Sequence, residues 1–359
     1  MQSCRRIVLF GAGASHGARS EPCPPLGTQL HEYVGRYLRE KCSELREWDS
    51  YDVTTDSDTA THGVRYELRQ LLANAESFER LANRLSKPHQ RDLLARLNFL
   101  MAGAMTPPIF PLVPHDEPRV NDAFIEEPDI YDAFLEKQFA ASQDWSNTSF
   151  MTLNYDCLLE RAICRVIFKG PQEGESQCLC RHVDYCIEEV GYRPVEVLKP
   201  HGSINWIGDL EGRNNDDGRI LITCSLEPDG RPSYKQVQSV ASPIGRDPDE
   251  LIIATYAPGK RPQANPELLF RIQERAKTCA QEAVLVEIIG VHLPNEGSND
   301  DPFLSELLEL IANKAEAGCR VIYVNIAEDE IKRAKDRYHF ETAQKTFKDY
   351  VRTADCVTR

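Results

Sequence analysis

The chain has 359 residues, 41% of them hydrophobic, with 42 Lys and Arg against 56 Asp and Glu for a formal net charge of −14. That length accommodates one large core or two domains, and an acidic balance without a sustained basic block disfavours a nucleic-acid surface, because phosphate repels it. No run approaches the roughly 18 apolar residues of a membrane span, and the N-terminus enters a strand without a secretory signal, so the sequence predicts a soluble, cytoplasmic protein.

Ile7 to Phe10 is an apolar run that ends in Gly11-Ala-Gly-Ala-Ser15, the pattern of a buried parallel strand turning into a helix. Gly11 and Gly13 permit a tight turn and close approach of a diphosphate to the main chain, while Ala12, Ala14 and Ser15 are small enough to open a helix beneath it. The turn lacks the third glycine of the dinucleotide fingerprint and the lysine of a P-loop, so by itself it also fits a ligand-free strand-to-helix connection. Leu26 to Leu45 has helical spacing, residues 47–61 are polar, and Leu68, Leu71, Leu72, Phe78, Leu81 and Leu85 recur at helical intervals within 62–104. The Pro-rich stretch from Thr106 to Pro114 breaks the pattern, and a further helix is expected over Ile130 to Ala141. This helical insertion postpones the second core strand to Ser149–Leu153, and its size suits a cap over a crevice.

Alternation then resumes, with a helix at about 157–168, a strand at Val195 to Leu198, and strands near 220–224 and 251–255. A helix over about 267–282 leads to a strand at 283–289, a helix covers 302–317, and Arg320 to Val324 is another strand. The fold class read from this pattern is α/β: a Rossmann-like parallel sheet with helices on both faces, carrying a large helical insertion. A single domain spans 1–359, with insertions at about 40–145 and about 170–193.

Polar residues gather where such a sheet places ligands, beyond the carboxyl ends of its strands. Asn154 and Asp156 follow the second strand. Asn154 both donates and accepts, which suits a ribose hydroxyl or an attacking water, while Asp156 offers an acceptor or else caps the next helix. His201 follows Leu198, and a histidine there suits general-base work near neutral pH, although a lone histidine is more often structural. Trp206 reads as core. Gly290 after Ile289 allows a second close main-chain approach, and Asn325 after Val324 either binds a ribose hydroxyl or stabilises a turn. Asp300 or Asp301 reads as the cap before Pro302. The 12 cysteines are scattered, many inside apolar patterns, which fits reduced thiols. Cys178, Cys180, His182 and Cys186 form the one compact set of soft ligands, at a spacing unlike the usual zinc sites, so no metal is assigned.

Gly11-Ala-Gly-Ala-Ser15, Thr152-Leu-Asn-Tyr-Asp156 with Leu158-Leu-Glu160, and Lys199-Pro-His-Gly-Ser203 together resemble the SIR2-like family, with supporting likeness at Ile288–Leu293 and Val324-Asn325. The resemblance covers residues 5–22 and most of 148–335. It implies NAD+ as the substrate, its diphosphate held by Gly11, Ala12, Gly13, Ala14 and Ser15, its adenosine half bordered by Gly290 and Asn325, and a catalytic set of Asn154, Asp156 and His201. The Asn154-Tyr-Asp156 wording and the absence of paired Cys-x2-Cys motifs look like the bacterial defence-associated NAD+ hydrolases rather than the protein-lysine deacylases. The expected reaction is cleavage of NAD+ to nicotinamide and ADP-ribose, in anti-phage defence by NAD+ depletion. The rival readings are an NAD-dependent deacylase and a non-catalytic module sensing NAD+ or ADP-ribose. A homo-oligomer and a defence-system sensor or regulatory partner are expected to gate the activity, with the helical stripe of 62–104 serving either as an assembly surface or as an intramolecular cap.

Overall fold

The computed structural model describes residues 6–16, 30–40, 64–76, 78–85, 90, 93–94, 96–98, 100–101, 130–141, 145, 147–167, 182–187, 194–208, 220–226, 232–238, 251–253, 266–295 and 301–353. The apolar run after Arg6 forms β1 (Arg6–Phe10), whose last four residues are wholly buried. It pairs in parallel with β2 (Thr148–Thr152) on one side and β9 (Leu285–Ile289) on the other. With β3 (Val183–Asp184), β4 (Val195–Leu198), β10 (Arg320–Asn325) and β11 (Glu341–Gln344) these strands make a seven-stranded sheet of order β11-β10-β9-β1-β2-β4-β3, parallel throughout. A parallel sheet must be covered on both faces, and two groups of helices do so. In one, α7 (Pro266–Glu282), α8 (Pro302–Glu316) and α9 (Glu328–Tyr338) pack in succession; in the other, α5 (Ile130–Ala141) lies between α6 (Leu158–Ile167) and α10 (Phe347–Arg352). The chain steps one way from β1 to β2 and the other way from β9 to β10, so right-handed crossovers send these connections to opposite faces. The reversal lies between β1 and β9.

That seam is closed by main chain. Gly11 N–H donates to Ile289 O at 2.9 Å, Gly13 N–H to Gly290 O at 3.0 Å, and Gly290 N–H to Val324 O at 2.9 Å. A Cβ on Gly11 would lie 2.5 Å from Gly290 O, and one on Gly290, whose φ is +64°, would lie 2.3 Å from Ala14 N. The glycines therefore let α1 (Ala12–His16) sit directly on the turn after β9.

α5 belongs to the main core. Its Tyr131 and Phe134 surround Phe10 with Phe347 of α10 at centroid separations of 5.1 to 5.7 Å, each such pair adding about 0.5–1.5 kcal/mol beyond burial. Lys137 donates to Val351 O at 2.5 Å, and the buried Glu287 of β9 accepts from Arg6 and from Tyr350 Oη at 2.7 Å, so the same helix pair is tied to the sheet by polar contacts.

A separate core forms among α2 (Leu30–Glu40), α3 (Val64–Ala73) and α4 (Phe78–Leu85), where Leu68, Leu72, Phe78, Leu81 and Leu85 are buried with Tyr155 and Cys157 of the loop after β2. The stripe read as a possible assembly surface thus faces inward and roofs that loop. The strands expected near 220–224 and 251–255 also stand elsewhere than the alternation implied. β6 (Ile220–Leu226) and β8 (Leu251–Ile253) join β5 (Gly202–Gly208) and β7 (Pro232–Gln238) in a four-stranded mixed sheet of order β7-β6-β5-β8. The Pro-rich stretch of 106–114 lies outside the described residues.

Gly290→Ala is expected to destabilise the fold by about 3 kcal/mol or more, since positive φ and a main-chain clash act together. Gly318→Ala, at φ +96° with nothing within 4 Å, should cost about 1–2 kcal/mol. Denaturant midpoints of the two variants measure the difference, and equal losses would show that the seam tolerates a side chain.

Candidate functional site

Three segments distant in sequence meet beyond the carboxyl ends of β1, β2 and β4. From β2 the chain runs through Leu153, whose N–H donates to Phe10 O at 2.9 Å, and turns at Asn154, whose N–H is held by Thr152 Oγ1 at 3.1 Å. The buried Asn154 amide then reaches back to the first strand: Nδ2 donates to Gly11 O at 3.0 Å and to Ser15 Oγ at 2.8 Å. Ser15 Oγ in turn lies 3.0 Å from Tyr131 Oη. Both amide hydrogens are engaged, so the orientation of Asn154 Oδ1 is fixed by the turn after β1.

His201 stands at the start of β5, just past β4, and is 2% exposed. Its Nδ1 donates to Leu153 O at 3.2 Å, which ties the imidazole to the residue before Asn154. Nε2 lies 3.2 Å from Asp301 Oδ2, off the direction of a hydrogen bond, so that nitrogen is buried without a hydrogen-bond partner. The rings of Tyr155 and Phe303 stand 6.4 and 6.3 Å away. Asp301 caps α8, its Oδ1 accepting from Leu304 N at 3.1 Å, as the sequence led one to expect. Its approach to His201 was not legible.

Asp156 is buried, and its Oδ1 accepts from Leu158 N at 3.1 Å, so it opens α6 as a cap. Beneath it lies an ion pair missed in the sequence. Lys199 and Glu160 are both fully buried, with Nζ 2.7 Å from Glu160 Oε1 and donating also to Asp156 O at 2.5 Å. Burial pushes the ammonium down, but the adjoining Glu160 carboxylate more than restores it, so Lys199 titrates above its ordinary value. The pair pins the end of the Asn154–Asp156 turn to the end of β4.

Around the turn after β1, the N–H groups of Gly11 and Gly13 are engaged by β9 and the residue that follows it. Ala12 and Gly13 are exposed, whereas Ala14 and Ser15 are buried. Ala12 is the first residue of α1. Gly290 serves the seam. Asn325 holds its own turn, with Nδ2 donating to Val291 O and Tyr323 Oη and Oδ1 accepting from Ile326 and Ala327 N–H. Near it the His292 ring lies 2.6 Å from Glu330 Oε1. The Glu330 carboxylate raises the His292 pKa. For Glu330 itself, burial pushes upward, but His292 and the Leu293 N–H outweigh it and hold the carboxyl below its ordinary value.

Of the four soft ligands noted in the sequence, Cys186 lies just past β3. Its Sγ donates to Glu196 Oε1 at 3.2 Å, a carboxylate also held by Arg275 Nε at 2.8 Å, and burial raises the thiol pKa. Among the described residues no group of three or more His, Cys, Asp or Glu side chains is placed to hold a metal ion; Cys178 and Cys180 lie outside them. No described helix is long and apolar enough to cross a membrane.

No protein-family model matches the chain, and no curated protein matches its sequence. Among solved structures, a SIR2 homologue in complex with NAD overlaps 99% of this chain and 91% of its own at 13% identity and a TM-score of 0.44. A mutant Sir2 homologue in complex with ADP-ribose overlaps 98% and 90% at 12% identity and a TM-score of 0.41.

Lys199→Met should cost about 3–5 kcal/mol by stranding Glu160, with much of the loss recovered on adding Glu160→Leu. Urea midpoints of the single and double variants test this, and additive losses would contradict it. The His292 contribution is fully present below the ordinary 6.5 and lost as pH rises through its raised folded value; that of Glu330 is present above 4.5 and lost as pH falls through its lowered one. His292→Gln should therefore lower the melting temperature most between about pH 4.5 and 6.5 and least at pH 9, whereas a gap widening toward pH 9 would reverse the sign.

Proposed function

We propose that this protein is an NAD+ hydrolase of SIR2-like type, cleaving NAD+ with water to nicotinamide, ADP-ribose and a proton. The observation that carries this reading is the meeting of Ser15, Asn154 and His201, the three segments of the sequence resemblance, at one end of the sheet beside its reversal of direction, where open α/β sheets bind ligands. The diphosphate lies along the exposed Ala12-Gly13 main chain, where side-chain bulk is least.

In this reaction the bond between the ribose C1′ and the nicotinamide nitrogen breaks, its electron pair neutralising the pyridinium, while a water oxygen bonds to C1′. The leaving group is good, so the protein mainly positions the reactants and balances charge. Asn154 Oδ1, fixed through the two bonds of its Nδ2, aligns the water or the ribose. His201 accepts the proton released from the attacking water or a ribose hydroxyl, and passes it to solvent. Asp156 orders the turn carrying Asn154 through its cap on α6 rather than through contact with substrate. The inward-facing α2–α4 layer over Tyr155 supports the cap reading of the helical insertion. The role proposed for this activity is depletion of NAD+ in anti-phage defence, held in check by assembly or by a partner.

Incubation with NAD+ alone should yield nicotinamide and ADP-ribose, and Asn154→Ala should yield almost none. His201→Ala should lose at least about 10²-fold in turnover while keeping much of its NAD+ affinity. Products that form only with an acyl-lysine peptide would establish deacylation instead, and tight NAD+ binding without turnover, under every condition of assembly, would establish a sensing module.

A further inference from the structure

We infer that Asp301 is the charge partner of His201, a carboxylate that balances the charge the imidazole acquires on taking up a proton; the catalytic half of this inference rests on the hydrolase reading above. The two ring nitrogens of His201 face two oxygens, Leu153 O at 3.2 Å from Nδ1 and Asp301 Oδ2 at 3.2 Å from Nε2. Leu153 O can only accept, so Nδ1 carries hydrogen and Nε2 is the nitrogen left to receive a proton. Asp301 Oδ2 sits to one side of Nε2 and makes no hydrogen bond to it, so the line along which a substrate oxygen would deliver its proton is not taken by the carboxylate. A proton arriving at Nε2 leaves a positive ring within 3.2 Å of a negative oxygen. Among the described residues Leu153 O, Tyr155, Phe303 and Asp301 stand around the ring, and in such a buried setting the charge interaction is much stronger than in water.

The carboxylate is also held still. Asp301 Oδ1 accepts from Leu304 N at 3.1 Å as the cap of α8, and Pro302 fixes the backbone immediately after it. One side chain thus links the first turn of a fifteen-residue helix to the ring of His201.

Asparagine caps a helix about as well as aspartate, so Asp301→Asn removes the charge and keeps the cap, whereas Asp301→Ala removes both. In the full-length protein, Asp301→Asn should keep the wild-type melting temperature and a KM for NAD+ within about twofold, while kcat for nicotinamide release falls about 10–100-fold, the range seen when the partner of a functional histidine is lost. Asp301→Ala should show the same fall in kcat together with a lower melting temperature. Wild-type kcat in Asp301→Asn, or a loss confined to KM, would overturn the catalytic half of the inference. The pairing itself is read without substrate from the imidazole ¹⁵N shifts of His201. They should change between wild type and Asp301→Asn, and unchanged shifts would overturn it. Should wild type release no nicotinamide, the hydrolase reading fails, and the ¹⁵N comparison still decides whether Asp301 and His201 are paired.

Discussion

Everything at the carboxyl end of this sheet depends on three glycines allowing two main chains to touch. Gly11 and Gly13 lie against Gly290, with no room for a Cβ on Gly11 or Gly290, and that contact sets the position of α1. From there the constraint propagates through hydrogen bonds. Gly11 O and Ser15 Oγ orient the Asn154 amide, and the turn of Asn154 presents Leu153 O to His201. The glycines suggested a phosphate cradle in the sequence, but two of the three N–H groups that glycine supplies at this turn and its neighbour go to β9 and to Gly290, and the third goes to Val324. Glycine is needed here for close packing first, and the surface it leaves bare is a consequence.

The polar residues of the site divide by what they hold. Asn154 and His201 are each anchored through one nitrogen, leaving another polar atom to act. Asp156 and Asn325 are engaged in capping and turn bonds, and so shape the backbone. Lys199 and Glu160 lie deeper, where an ion pair is costly to desolvate and costlier to break, and their position behind Asp156 makes them the rigid backing of the turn.

Much of the parallel sheet was legible because its strands announce themselves locally. Val321 to Val324 is a continuous apolar run, Leu285 to Ile289 is one interrupted only by Glu287, both lie between helices of clear period, and α5 and β4 fall on the residues expected. What failed was information that is not local. β6 and β8 were recognised as strands, yet nothing in their own residues says which sheet they join. β11, Glu-Thr-Ala-Gln with no buried residue, is an edge strand without an apolar signature. Asn154 and His201 were legible from their places at strand ends, whereas Asp301 lies 100 positions from His201 and carried only the signal of a helix cap.

The pairing of β1 has a consequence for how the molecule comes into being. The strand precedes both of its partners, residues 148–152 and 285–289, in the chain, and the aromatic cage around Phe10 is closed by Phe347. Contacts of such long sequence separation must wait for the intervening chain and favour slow folding. The glycine seam cannot close before Gly290 has been made, so a nascent or prematurely ended chain lacks the surface on which the site is built. Assembly of the site is in this way deferred until Gly290 has been made, by topology alone.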